Sequence, residues 1–114
     1  MKHLLSLSAL CIALISSGLH ASERAETGWE MIEEGALVVD VRTPGEFKQS
    51  HLDNALNYPL SEVATHFARI DKAQPIVLYC RSGNRSGQAY QYLKAQGFTQ
   101  IHNAGGLIEM QESK

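Results

Sequence analysis

Residues 80–87 read Cys-Arg-Ser-Gly-Asn-Arg-Ser-Gly, with no acid among them. A cysteine heading a cationic, donor-rich turn has the surroundings of a nucleophile held as its thiolate. The apolar stretch IVLY leads into Cys80, and Ser82, Gly83 and Asn84 tolerate tight turning. A helix is predicted to begin around Arg85 or Ser86. A loop that curls into a helix start turns its backbone N–H groups inward, and the helix dipole adds about half a positive charge there. An unperturbed thiol near ~8.5 is about 3% thiolate at pH 7, whereas cysteines in such settings reach roughly 3.5–7.5. Arg81 and Arg85 push the same way or attract an anionic substrate. The competing reading is an inert core cysteine, since free Cys is among the most buried residue types; inert cysteines, however, lack electropositive surroundings.

Other loop chemistries fit less well. The phosphate-binding pattern G-x-x-x-x-G-K-[ST] is missing, and Gly83 and Gly87 do not make a dinucleotide fingerprint. Cys80 with the scattered His51, His66 and His102 gives no zinc-ligand spacing, so no metal site is predicted. None of these histidines can be paired with Cys80 from sequence; His66 and His102 read as surface residues.

The elements that must position Cys80 follow from periodicity and punctuation. Residues 22–27 (SERAET) read as a polar leader. GWEMIEEG carries Trp29 and Ile32 at i, i+3 before Gly35, which predicts a short helix. ALVVDVR is a strand ending at Asp40 or shortly after. Thr43 and Pro44 read as cap and first residue of another short helix. NALNYPL holds a three-residue strand before Pro59. Ser61 reads as the cap of a helix with Val63, Phe67 and Ile70 on one face. PIVLYC is a second buried strand, and RSGQAYQYLKAQGF is the best helix, with Ala89, Tyr92, Leu93 and Gln96 on its apolar face and Gly97 closing it. TQIHNAGG gives a last strand, followed by a short C-terminal helix. Alternating strands and helices predict an α/β domain with a small, mostly parallel sheet of about four to five strands and helices on both faces. Sites in such sheets lie beyond the carboxyl ends of the strands. The two strongest strands end at Asp40 and Cys80, so those ends converge on one edge.

The first 21 of the 114 residues stand apart. Lys2, the apolar run from Leu4 to Ile15, and small residues up to Ala21 have the anatomy of a cleaved secretory signal peptide. The run is shorter than the about 20 residues a membrane span needs. The alternative is an uncleaved anchoring helix. Cys11 lies inside the apolar run after Leu10, which argues against lipidation. Cleavage leaves residues 22–114 as one small domain. The 12 acids against 10 basic residues, of which Lys2 is lost, make it mildly acidic. A nucleic-acid partner calls for a basic face, and the charge balance offers none. Cys80 is the only cysteine left, so an inert residue, an intermolecular bridge and a reactive thiol are the three choices.

Across residues 28–108 the chain resembles a single-domain rhodanese of the small exported type. DVRTPGEF is similar to the family's Asp-x-Arg-x-x-x-Glu signature, carried by Asp40, Arg42 and Glu46. HLDNALNYPL resembles the segment from His51 through a small-residue turn to Pro59. YCRSGNRS resembles the active-site loop, and NAGGL the late glycine pair, Gly105 and Gly106. One departure is visible: where many relatives carry Trp a few residues after the glycine pair, Met110 stands here.

The resemblance implies a thiosulfate sulfurtransferase that moves sulfane sulfur to cyanide or a thiol through a Cys80 persulfide. It implies that Arg81, Ser82, Gly83, Asn84, Arg85 and Ser86 form the substrate loop, with no metal or organic cofactor. The partners are then a small anionic donor and a thiophilic acceptor; the signal peptide predicts a periplasmic location. Related phosphatases of this fold place five residues between Cys and Arg; here four lie between Cys80 and Arg85, and the next position is Ser86. That favours sulfur transfer over phosphoryl transfer. The other alternative is a non-catalytic persulfide carrier loaded by a partner protein. Asp40, Arg42 and Glu46 are either a surface ion cluster worth at most about 1 kcal/mol or supports of the loop, with Asp40 anchoring Arg85 or the loop backbone and Arg42 paired to Glu46. His51 reads as a turn cap rather than a proton carrier. Gly105 and Gly106 read as serving backbone conformation or close approach to the loop.

Overall fold

The computed structural model describes residues 21–114. The predicted signal peptide therefore lies, but for Ala21, outside the described residues. Four strands, β1 (Leu37–Asp40), β2 (Leu56–Asn57), β3 (Ile76–Cys80) and β4 (Ile101–Gly106), form one parallel sheet in the order β2-β1-β3-β4. All five residues of β3 are buried. Its continuous run of apolar residues suits a central parallel strand covered on both faces.

Side chains alternate across the sheet with the strand period of two. Val39, Ile76, Leu78 and Cys80 face one layer, where Val63, Phe67, Ala89, Leu93 and Phe98 pack. Val38, Val77 and Tyr79 face the other, against Ala25, Leu52, Leu107 and Met110. The first layer is built by α3 (Val63–His66) and α4 (Asn84–Ala95), the second by α1 (Glu23–Glu33) and α5 (Leu107–Glu112). Asp40 pairs in register with Tyr79, so the ends of β1 and β3 share an edge, as predicted.

Several local expectations are corrected. Residues 22–27 are not a leader: Ser22 caps α1 by accepting from the Ala25 amide, and Ala25 is wholly buried. Gly28 of this helix packs so closely on Ala104 and Met110 that a side chain there would collide. Met110, at the position where the resemblance led us to look for Trp, is itself fully buried, and its carbonyl accepts from Trp29 Nε1 at 2.7 Å. Ser61 caps nothing; Pro59 leads into a 3₁₀ turn (Leu60–Glu62) that runs straight into α3. β2 has two residues rather than three. The buried face of α4 runs through Ser86, Ala89 and Leu93, while Tyr92 and Gln96 are exposed.

Thr43 does make the predicted cap of α2 (Pro44–Gln49), in a reciprocal box with Glu46. Between β3 and β4 the register slips: Leu78 pairs with Asn103, but Cys80 pairs with Gly106. The extra residue in β4 is a bulge, and Gly105 occupies it at φ +102°.

Candidate active site

Cys80 ends β3 and is 1% exposed. Its Sγ accepts from the Gly83 amide at 3.1 Å, the Ser86 amide at 3.4 Å and the Ser86 hydroxyl at 3.3 Å. Burial pushes the thiol up, but the Ser86 hydroxyl and the amides of Ser86, Ser82 and Gly83 outweigh it and leave the thiol below its ordinary value. The loop can close this tightly because Gly83 takes φ +99°, a left-handed conformation, as the residue that opens α4. α4 accordingly begins at Asn84, slightly earlier than predicted.

The β4 bulge completes the cradle. Gly106 lies against the Arg81 carbonyl, which occupies the space a Cβ would need. Asn103 sits opposite the loop: its Nδ2 donates to the Gly83 carbonyl at 3.0 Å, which turns its Oδ1 toward the Ser86 hydroxyl at 2.7 Å and the Gly105 amide at 3.1 Å. The glycine pair therefore does both things expected of it, one by conformation and one by close approach.

The supporting ion pairs are exchanged relative to expectation. Arg85, not Arg42, pairs with Glu46, through Nη1–Oε1 at 2.7 Å and Nη2–Oε2 at 2.9 Å. Asp40 pairs with Arg42 and makes no hydrogen bond to Arg85 or the loop: its Oδ1 accepts from the Arg42 amide and Nε, and its Oδ2 from Nη2 at 2.7 Å. The reason is local. Asp40 and Arg42 lie two apart at a strand end and so share a side, and Arg42 Nη2 is drawn inward again by the Ser50 carbonyl at 2.6 Å. Glu46, in the first turn of α2, is left to face the loop. The Arg85 guanidinium, helped by the Thr43 amide, holds the Glu46 carboxyl down at about 2.

Arg81 is exposed and opens onto a surface pocket shared with Glu46, Gln49 and Ile108. His51 donates from Nδ1 to the Phe47 carbonyl, 2.7 Å away, and stacks on the Phe47 ring. His66 pairs with Glu62, and His102 contacts the Arg24 carbonyl. Among the described residues no histidine bonds to Cys80.

Three site residues escaped the sequence reading. Asn103 lies inside the NAGGL segment, where the glycines alone carry the sequence signal. Arg24 and Glu109 carried no local signal: Arg24 is 58 positions from Ser82, whose carbonyl its Nη2 binds at 3.1 Å, and 85 positions from Glu109.

Residues 24–112 match the family model described as a rhodanese-like domain. The chain is 40% identical to the thiosulfate sulfurtransferase PspE of Escherichia coli (strain K12) over 74 residues, covering 63% of this chain and 71% of the relative. It is 42% identical to a sulfurtransferase of Allochromatium vinosum over 76 residues, covering 66% and 71%. A solved structure, a rhodanese with anions from E. coli, matches with a TM-score of 0.60 at 38% identity, covering 66% of this chain and 91% of that one.

Proposed function

This chain belongs to the rhodanese-like domain family, and from that premise we propose that it is a thiosulfate sulfurtransferase working through a Cys80 persulfide. The carrying observation is the Cys80 sulfur itself, buried and accepting three hydrogen bonds from Gly83 and Ser86. Such a pocket stabilises a negative sulfur in both states that the cycle needs.

The Cys80 thiolate attacks the outer sulfur of thiosulfate. The Cys80–sulfur bond forms as the sulfur–sulfonate bond breaks, and its electron pair leaves on sulfite. The persulfide anion then rests among the same donors. Cyanide or a thiolate attacks the terminal sulfur, leaves as thiocyanate or a persulfide, and returns the Cys80 thiolate. This is two-step covalent catalysis with ping-pong kinetics. Arg81, exposed at the mouth, attracts the dianion, while Arg85 is committed to Glu46. The names of the relatives, thiosulfate sulfurtransferase and sulfurtransferase, support the same reading.

We further propose that the chain is exported and works in the periplasm, on the strength of its basic start, apolar run and Ala21 boundary. Among the described residues no helix is long and apolar enough to cross a membrane. N-terminal sequencing of the protein recovered from its host tests this: a start at or near Ser22 is expected, and a chain beginning at Met1 in the membrane fraction defeats it.

Intact mass spectrometry after thiosulfate treatment tests the reaction. One added sulfur atom is expected on the wild type and none on Cys80→Ser, which keeps the size of the side chain but cannot form a persulfide. Loading only from a partner protein, with no turnover of thiosulfate, would point instead to a persulfide carrier.

A further inference from the structure

The Gly83 amide that donates to Cys80 Sγ belongs to the same peptide plane as the Ser82 carbonyl. A trans peptide points its N–H and C=O in opposite directions. Turning that plane over would aim the carbonyl at the sulfur and remove a donor from the cradle. Glycine makes such a turn inexpensive, because it populates positive and negative φ about equally, and Gly83 stands at φ +99°. Something must hold the plane in place from its far side.

Arg24 is in that position. Its Nη2 donates to the Ser82 carbonyl at 3.1 Å. Its guanidinium lies so close to Gly83 and Gly105 that a Cβ on either would collide with it. The guanidinium is itself fixed by a fork onto Glu109, Nε–Oε2 and Nη2–Oε1, both at 2.8 Å. Glu109 is fixed in turn by the Ser22 hydroxyl at 2.7 Å and the Gly106 amide at 3.1 Å. The start of α1 and the first turn of α5 thus meet over the back of the loop.

We propose that Arg24, anchored by Glu109, is a positioning residue of the active site: it holds the Ser82–Gly83 peptide so that the Gly83 amide stays turned onto the Cys80 sulfur. A charge-assisted bond at the carbonyl also polarises the peptide and strengthens its N–H as a donor. The Arg24 side chain is 44% exposed. Exposed ion pairs contribute little to global stability, so its effect falls on the loop rather than on folding. This inference rests on that part of the proposed function which makes Cys80 the active-site thiolate, and its test reads the thiol directly.

The experiment is the pH dependence of Cys80 alkylation by iodoacetamide, with thermal melts, on wild type, Arg24→Gln, Arg24→Lys and Glu109→Gln. Arg24→Gln is expected to raise the alkylation midpoint by about half a unit to one unit, with the melting temperature within a few degrees of wild type. Arg24→Lys keeps the charge but not the fork, and restores only part of the shift. Glu109→Gln frees the guanidinium and moves the midpoint the same way by less. A wild-type midpoint in Arg24→Gln overturns the proposal. If that variant does not fold, wild-type midpoints in both Arg24→Lys and Glu109→Gln overturn it. A wild type with a lowered midpoint that thiosulfate cannot load would sink the sulfur-transfer reading and leave the role of Arg24 standing.

Discussion

Arg85 and Glu46, 39 residues apart, meet in a two-pronged ion pair that ties the active-site loop to the cap of α2. Both side chains are 30% exposed. The pair therefore fixes geometry more than it stabilises the fold. A double-mutant cycle of Arg85→Ala with Glu46→Ala should give a coupling of about 0.5–1 kcal/mol by denaturant unfolding. The cycle of Arg85→Ala with Asp40→Ala should be additive within about 0.5 kcal/mol. Coupling in the second cycle and none in the first would restore the Asp40 anchor that the structure replaces.

Acid should loosen the loop through two carboxylates. Glu46 beside Arg85 and Glu109 beside Arg24 both titrate at about 2 in the folded chain, against about 4.3 when unfolded. A depressed folded value means that the contribution is complete above the unfolded value and is lost as pH falls toward the folded one. The melting temperature should therefore fall between about pH 5 and pH 2, and the fall should be shallower in Glu46→Gln and Glu109→Gln. Their exposure makes each share modest. Melting curves of identical slope in all three proteins would contradict this.

The convergence of the Asp40 and Cys80 ends was legible in the sequence because short apolar runs and helix punctuation determine a parallel α/β sheet. The loop was legible because Ser82, Gly83 and Asn84 leave the chain little choice but to turn. Partner choice among the ions was not. Asp40, Arg42, Glu46 and Arg85 offer two chemically equivalent pairings, and only the strand-end geometry and the Ser50 carbonyl decide between them. Arg24 was hidden for a different reason. Its helix buries Ala25 and Gly28 and packs Trp29, Met31 and Ile32 on the core, which signals a helix but not what Arg24 binds, and its partners Ser82 and Glu109 lie 58 and 85 positions away.

The two glycines Gly106 and Gly45 should respond oppositely to alanine. A Cβ on Gly106 would run into the Arg81 carbonyl, which is backbone and cannot swing aside. Gly106→Ala should cost about 1–3 kcal/mol as overpacking and displace the loop, with loss of sulfur transfer. Gly45, in the first turn of α2, has open space around its Cβ position and no positive φ. Gly45→Ala should be neutral or stabilise by up to about 1 kcal/mol and leave transfer unchanged. Unfolding and turnover measured together decide the matter; a tolerated Gly106→Ala would place the loop further from β4 than the structure does.

The Ser86 hydroxyl carries one proton and faces two acceptors, Asn103 Oδ1 at 2.7 Å and Cys80 Sγ at 3.3 Å. Sulfur is larger than oxygen, so both contacts are of hydrogen-bond length, and the thiolate and Asn103 compete for one proton. That competition makes opposite predictions for the two partners. Ser86→Ala deletes the donor and should raise the thiol pKa by up to about one unit, since a hydrogen bond to a charged group is worth about 1.5–3 kcal/mol before competition is subtracted. Asn103→Ala removes the competitor and should lower the thiol pKa. It should also destabilise the protein by about 1–3 kcal/mol, because the Gly105 amide loses its acceptor and the Gly83 carbonyl loses the Asn103 Nδ2 donor. The pH profile of Cys80 alkylation separates the two, and persulfide loading by thiosulfate should follow it, slower at neutral pH in Ser86→Ala than in the wild type. Shifts of the same sign in both variants would mean that Asn103 acts on the sulfur only by holding the loop, and that the Ser86 proton is not shared.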